Sequence, residues 1–128
     1  MQKDYNTWTK IKINIHNENP RVFFKEREIW FSYLGENVGF EQDGRGKQFL
    51  RPVVILKKFN KELFWGIPLT KNQKTGRYYE SFSFNGLIST AILSQLRLID
   101  AKRLKYKVGN IAPEDLAKIK TKIRQFIA

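Results

Sequence analysis

The stretch Arg51–Thr70, RPVVILKKFNKELFWGIPLT, constrains the fold more than any other part of the chain. RPVVIL is an apolar, β-branched run whose proline stands near its start, where a strand tolerates a missing N–H. Lys57-Lys58-Phe59-Asn60-Lys61 reads as a turn. After it, Leu63, Trp65, Ile67 and Leu69 alternate with Phe64, Gly66 and Pro68, the period-2 pattern of a strand. Strands joined by so short a turn pair antiparallel, so the start of one lies beside the end of the other. Arg51 and Thr70 are therefore predicted to meet, although nineteen positions separate them. A guanidinium and a hydroxyl at one rim of a sheet are groups that hold a phosphate.

The flanking sequence builds outward from this hairpin. EIWFSYL at 28–34 reads as a strand with Ile29, Phe31 and Tyr33 on one face and Trp30 and Leu34 on the other. Apolar residues on both faces point to a central position. Residues 35–50, GENVGFEQDGRGKQFL, form a long glycine-rich loop leading straight into Arg51, placed to overhang the rim as a lid. Its GRGK section lacks the GxxxxGK[ST] spacing of a phosphate-binding loop, which excludes that mode of ATP or GTP binding. Arg77–Phe84 and Ile88–Leu96 are predicted strands joined by Asn85-Gly86, a hairpin turn dipeptide, with Ile88, Ala91 and Leu93 facing the core. Residues 99–104 read as a short helical or turn element, and 106–108 as a brief strand.

Two amphipathic helices bracket the chain. In residues 4–17, Asp4 is a suitable cap and Tyr5, Trp8, Ile11 and Ile15 share a face. In the last segment Pro113, Glu114 and Asp115 open a helix that closes on Lys118, Lys120, Lys122 and Arg124. Leu116, Ile119, Ile123 and Phe126 form its apolar stripe. The order is helix, about five short strands, short helix, helix. It describes one α+β domain around a small, strongly bent antiparallel sheet or partly open barrel, with 1–20 as a helical extension and 27–128 as the core.

Composition narrows the chemistry. The 128 residues contain no cysteine and a single histidine, His16, which excludes thiolate chemistry and any multi-histidine metal site within one chain. No cofactor or structural metal is expected. No apolar run has the length of a signal-peptide core or of a membrane span, which points to a cytoplasmic protein without a membrane partner. The net charge is +12, and residues 97–128 alone carry nine basic and three acidic side chains. Such an excess favours nucleic acid or an acidic protein segment as partner.

Several blocks in order carry a family resemblance: REIWFSYLG at 27–35, VGFEQDG at 38–44, RPVVIL at 51–56, IPLT at 67–70 and SQLRLIDAKRL at 94–104. Together they make the chain resemble the PemK/MazF family, the toxins of type II toxin–antitoxin modules. The resemblance implies an SH3-like barrel with flanking helices, a homodimer, and a metal-independent endoribonuclease acting on single-stranded RNA. It implies attack by the substrate's own 2′-OH, giving a 2′,3′-cyclic phosphate and a 5′-OH. The arginine of the RPV block and the threonine closing the next strand, here Arg51 and Thr70, would be the catalytic pair. Glu28, Glu41, Gln42, Lys71, Ser94 and Gln95 are candidate RNA contacts. Arg97 and Asp100 fall in the family's RxID block and read as a structural ion pair or turn bond. Where some members carry a loop histidine this chain has Phe40, and where others carry an acid before the later glutamine it has Ser94. The partner implied is an antitoxin with an acidic, initially disordered segment. Two other functions fit the same composition: a basic SH3-like module that binds nucleic acid without cutting, and a gyrase inhibitor like the CcdB toxins. The RPV and SQxR blocks favour the PemK/MazF reading.

Overall fold

The computed structural model describes residues 22–34 and 50–127. The expected helix at 4–17 and the expected lid at 35–50, apart from Leu50, lie outside these residues. The described chain runs β1 (Glu28–Tyr33), β2 (Leu50–Lys58), β3 (Leu63–Thr70), β4 (Tyr79–Phe84), β5 (Leu87–Ile92), β6 (Arg97–Asp100), β7 (Leu104–Asn110) and α1 (Pro113–Ile127). The strands form one seven-stranded sheet in the order β4-β5-β3-β2-β1-β7, with β6 also paired to β3.

Strand β3 is the branch point. One edge pairs with β2; the other pairs with β6 over Leu63–Gly66 and with β5 at Leu69 and Thr70. The predicted strand at 88–96 is therefore split. It stops at Ile92, the chain takes a 3-10 turn over Leu93–Gln95, and a separate strand starts at Arg97. The predicted helical element at 99–104 shrinks to a 3-10 turn at Ala101–Arg103, with strand on both sides. Asp100 caps this turn by accepting from the Lys102 backbone N–H at 2.8 Å, the turn bond expected of it. Asn85 and Gly86 turn the β4–β5 hairpin with φ of +53° and +79°, the left-handed conformation that their side chains tolerate.

Alternation along the strands separates two cores. Val54, Ile67 and Leu69 face a cluster with Ile29, Ala91, Leu93 and the buried stripe of α1, Leu116, Ile119 and Ile123. Val53, Ile55 and Phe64 face a second cluster with Phe24, Trp30, Ile99 and Leu104. With apolar layers on both faces, β2 and β3 read as continuous apolar runs, and β1 is central as expected, between β2 and β7. Ile88 does not join the core. It sits three residues before Ala91, hence on the opposite face, and stays 46% exposed.

The sheet curls until its end strands touch. A Cβ on Gly109 of β7 would lie 2.8 Å from the Phe84 ring of β4, so this glycine lets the two ends close over the first core. No backbone ladder joins β4 to β7 among the described residues. Side-chain packing does the closing.

Candidate active site

A row of aligned residues crosses the sheet at one end. Ser32 of β1 stands opposite Arg51 of β2, Thr70 of β3 opposite Thr90 of β5, and Thr90 opposite Ser81 of β4. The β2–β3 ladder runs through Val53 opposite Pro68. Two more residues in the same register put Arg51 across from Thr70. Directly opposed residues on neighbouring strands project from the same face, so these two side chains share one rim.

The groups around the pair leave their polar atoms available. Arg51 and Thr70 are both partly exposed. Among the described residues, no hydrogen bond or ion pair engages the Arg51 side chain. The Thr70 Oγ1 accepts from the backbone N–H of Asn72 at 3.1 Å, a local bond that ends the strand. That bond fixes the oxygen and leaves the hydroxyl proton for an outside acceptor. Behind Thr70, the fully buried Thr90 shares a 2.7 Å hydrogen bond with Ser81. Behind Arg51, the buried Ser32 donates to the Arg103 carbonyl at 3.2 Å. Both ends of the row are held by buried hydroxyls.

Further positive charge gathers beside β1. The Arg103 guanidinium lies 3.4 Å from the Tyr33 carbonyl, and the Lys105 ammonium sits 5.9 Å from the Tyr33 ring. Burial first, and then the charge of Arg97, push Arg103 below its ordinary value, with Asp100 pulling the other way. Crowded arginines of this kind gain from a polyanion nearby. The sequence reading passed over Arg103, Ser32 and Thr90. The hydroxyls have no local motif, and only the strand register aligns them with Arg51 and Thr70.

The remaining candidates are scattered. Lys71 is exposed and follows Thr70 directly. Ser94 and Gln95 are exposed on the 3-10 turn, beside the middle of β3 and on the edge away from β2. Glu41 and Gln42 lie outside the described residues. Glu28 stands apart from the rim, four residues before Ser32, or roughly 13 Å along a strand. It is 8% exposed. Its Oε1 accepts from Trp30 Nε1 and from the Lys25 backbone N–H, both at 2.9 Å, and its Oε2 is 3.2 Å from the Lys107 ammonium. The carboxylate of this candidate RNA contact is thus buried and engaged by groups of its own chain. No cluster of three or more metal-ligating side chains occurs among the described residues.

A family model described as "PemK-like, MazF-like toxin of type II toxin-antitoxin system" matches residues 25–127. The chain belongs to this family. Among solved structures it resembles MazF (Form-I) from Deinococcus radiodurans, with a TM-score of 0.66 and 17% identity over 83% of this chain and 97% of that one. It also resembles an endoribonuclease in complex with its cognate antitoxin from Mycobacterial species, with a TM-score of 0.60 and 12% identity over 80% and 92%. The Mycobacterium tuberculosis toxin MazF-mt6 matches with a TM-score of 0.60 and 15% identity over 79% and 96%. At these identities the likeness is one of fold. Sequence comparison with curated proteins gives no match. No helix among the described residues of this PemK/MazF-type chain is long and apolar enough to cross a membrane.

Proposed function

We propose that this toxin is a metal-independent endoribonuclease that cuts single-stranded RNA, with Arg51 and Thr70 as its catalytic pair. The observation that carries the reading is the strand register that sets an arginine without a partner among the described residues across from a threonine with a free hydroxyl proton. In this reaction the 2′-OH of the substrate loses its proton and its oxygen attacks the adjacent phosphorus. The bond from phosphorus to the 5′-oxygen breaks, and that oxygen takes up a proton. The products are a 2′,3′-cyclic phosphate and a 5′-OH. The protein need not supply a nucleophile. It must hold the phosphate in line and neutralise the charge that builds on its oxygens. Arg51 offers paired donors to the two non-bridging phosphoryl oxygens, and Thr70 donates to one of them or orients the 2′-OH.

Lys71 contacts a neighbouring phosphate in this scheme, and Ser94 and Gln95 meet RNA that runs along the outer edge of β3. Glu41 and Gln42 contact RNA from the loop. The enzyme acts as a homodimer in the cytoplasm and is neutralised by an antitoxin whose acidic segment meets the basic surface. The family assignment and the antitoxin complex among the similar structures support this partner.

The test is incubation of purified protein with a long single-stranded RNA in EDTA, beside Arg51→Ala and Thr70→Ala. Discrete fragments with 5′-OH ends from the wild type, slowed ~100–1000-fold by either substitution, are the expected result. RNA binding without cleavage, unchanged by both variants, would refute the enzyme reading.

A further inference from the structure

Beside Arg51, at the end of β1, the chain gathers cations that the Arg51–Thr70 pair does not use. Ser32 stands opposite Arg51, and its hydroxyl donates to the Arg103 carbonyl at 3.2 Å, which seats Arg103 next to the rim. From there the Arg103 guanidinium reaches the Tyr33 carbonyl at 3.4 Å, and the Lys105 ammonium lies 5.9 Å from the Tyr33 ring. Positive charge thus meets both the backbone and the ring of Tyr33. Arg97 stands two residues before the buried Ile99 on β6, so it shares the face that Val53 and Arg51 turn toward the second core. Between Arg97 and Lys105 the chain carries four basic residues and one acidic residue, Asp100. The Asp100 carboxylate already accepts from the Lys102 backbone N–H at 2.8 Å.

We propose that Arg103 and Lys105 hold the phosphate that adjoins the scissile one, so that a bound RNA strand leaves the Arg51–Thr70 pair across the end of β1. The spacing suits this. Tyr33 is one residue beyond Ser32, which puts its backbone roughly 6 Å from that of Arg51, the diagonal of one strand spacing and one residue rise. The next phosphate of an extended single strand lies about one such step away. A guanidinium has five N–H donors, more than one carbonyl can accept, and its planar fork matches the oxygens of a phosphate. Burial and the charge of Arg97 make the Arg103 cation costly to keep in the free protein, and a phosphate alongside relieves that cost.

The occupant that fits is a polyanion continuous with the scissile phosphate. The leucines that flank the cluster, Leu34 and Leu104, are buried and give an apolar partner side chain nothing to grip. Contacts to phosphate carry no sequence information, so this subsite sets register and affinity and leaves base choice to other groups. Lys71 lies on the other flank, directly after Thr70. Together the flanks define a path across the sheet, from Lys71 over Arg51 and Thr70 to Arg103 and Lys105. The inference rests on the proposed function for the position of the scissile phosphate and extends it with the course of the strand.

The test uses the full chain and a fluorescein-labelled single-stranded 2′-O-methyl RNA, which lacks the free 2′-OH and so stays intact. Fluorescence anisotropy is read at salt concentrations from about 0.05 to 0.2 M. Arg103→Gln and Lys105→Gln are each expected to weaken binding at least about threefold. Each should also lower the magnitude of the slope of log affinity against log salt by about 0.7, the value for one phosphate contact on a single strand. Lys61→Gln, an exposed lysine at the tip of the β2–β3 hairpin, is expected to change neither. Lys105 is exposed, so Lys105→Gln tests the subsite even where loss of the Tyr33 bond unsettles Arg103→Gln, and urea unfolding monitors both. Affinities and salt slopes equal to wild type in both variants would overturn the proposal. So would a glutamate-rich peptide that binds as tightly as the RNA and loses as much affinity in both variants, which would make the cluster a site for acidic protein. In the EDTA cleavage assay the same variants are expected to raise KM at unchanged kcat, whereas Arg51→Ala lowers kcat. A fall in kcat alone would place Arg103 on the scissile phosphate and overturn its assignment to the neighbouring one. RNA that binds through Arg103 and Lys105 but is never cut would sink the proposed activity and leave this subsite standing. Cutting by a protein whose binding is indifferent to both residues would do the reverse.

Discussion

Replacing Glu28 by alanine removes the acceptor from a buried bond network that joins three parts of the chain. The carboxylate holds the Trp30 indole N–H and the Lys25 backbone N–H at 2.9 Å each, and the Lys107 ammonium lies at 3.2 Å. Trp30 is itself only 7% exposed, so its N–H would be left in the core without an acceptor. An orphaned buried donor costs about 1–3 kcal/mol, and hydrogen bonds to a charged group contribute about 1.5–3 kcal/mol each. The Lys107 side chain is 44% exposed, which leaves its ion pair well under about 1 kcal/mol. These terms overlap, and a net loss of about 3 kcal/mol is expected for Glu28→Ala. At roughly 3–5 °C per kcal/mol for a chain of this size, that is about 10 °C in Tm. Glu28→Gln keeps one acceptor oxygen and is expected to lose about 1 kcal/mol. Equilibrium urea unfolding measures both, and Trp30→Phe closes the cycle. The alanine change should cost at least about 1 kcal/mol less once the indole N–H is gone. A Glu28→Ala protein within about 0.5 kcal/mol of wild type, or strict additivity with Trp30→Phe, would refute the buttress role.

The same group sets a pH dependence. Burial raises the Glu28 carboxyl pKa, but the hydrogen bonds from Trp30, Lys25 and Lys107 and the lysine charge outweigh it, so the folded value lies below the ordinary 4.5. A carboxyl with a depressed folded pKa binds more protons when unfolded. Its contribution is complete above 4.5 and is lost as pH falls through 4.5 and then through the folded value. The stability gap between wild type and Glu28→Gln should hold from pH 7 to 5 and narrow steadily below 4.5. A gap that widens on acidification would reverse the sign of the argument.

Three further outcomes are expected. Arg51→Lys retains the charge but not the planar fork, and its RNA cleavage should fall nearly as far as that of Arg51→Ala in the EDTA assay. Gly109→Ala drives a methyl to 2.8 Å from the Phe84 ring and should cost about 1–3 kcal/mol in thermal unfolding, with Phe84→Leu recovering part of the loss. Asn60→Ala deletes the carbonyl that accepts from the Glu62 and Leu63 backbone N–H groups at 2.8 and 2.9 Å, and should cost about 1 kcal/mol by urea unfolding.

What could be read from the sequence was whatever is written locally. The β2–β3 hairpin carries its period and its turn in one stretch, so counting residues already brought Arg51 to Thr70. The Asn85-Gly86 turn and the α1 stripe are legible for the same reason. The segment from 88 to 110 was harder, because β5 and β6 pair with the same edge of β3 and the chain changes strand through three residues of 3-10 turn. No periodicity marks such a crossing. Ile88 was misplaced because apolar character was counted without its parity relative to Ala91. The buried network of Glu28 was not legible because its partner Lys107 comes from β7, and a contact between strands so far apart in sequence has no local signature.

The hairpin's two ends differ because of what lies at each. At the Arg51–Thr70 end the neighbours are hydroxyls, two of them fully buried, which hold backbone and side chain in place while leaving a cation and a proton donor facing out. At the Leu56–Trp65 end the neighbour is α1, whose apolar stripe runs out at Ile127 before the sheet surface is covered. The Arg51–Thr70 end is therefore where a substitution is expected to leave the scaffold intact: the Arg51 side chain has no hydrogen bond or ion pair among the described residues, so Arg51→Ala should unfold in urea within about 0.5 kcal/mol of wild type. A loss of more than about 2 kcal/mol would show that the guanidinium belongs to the scaffold and not to an open rim.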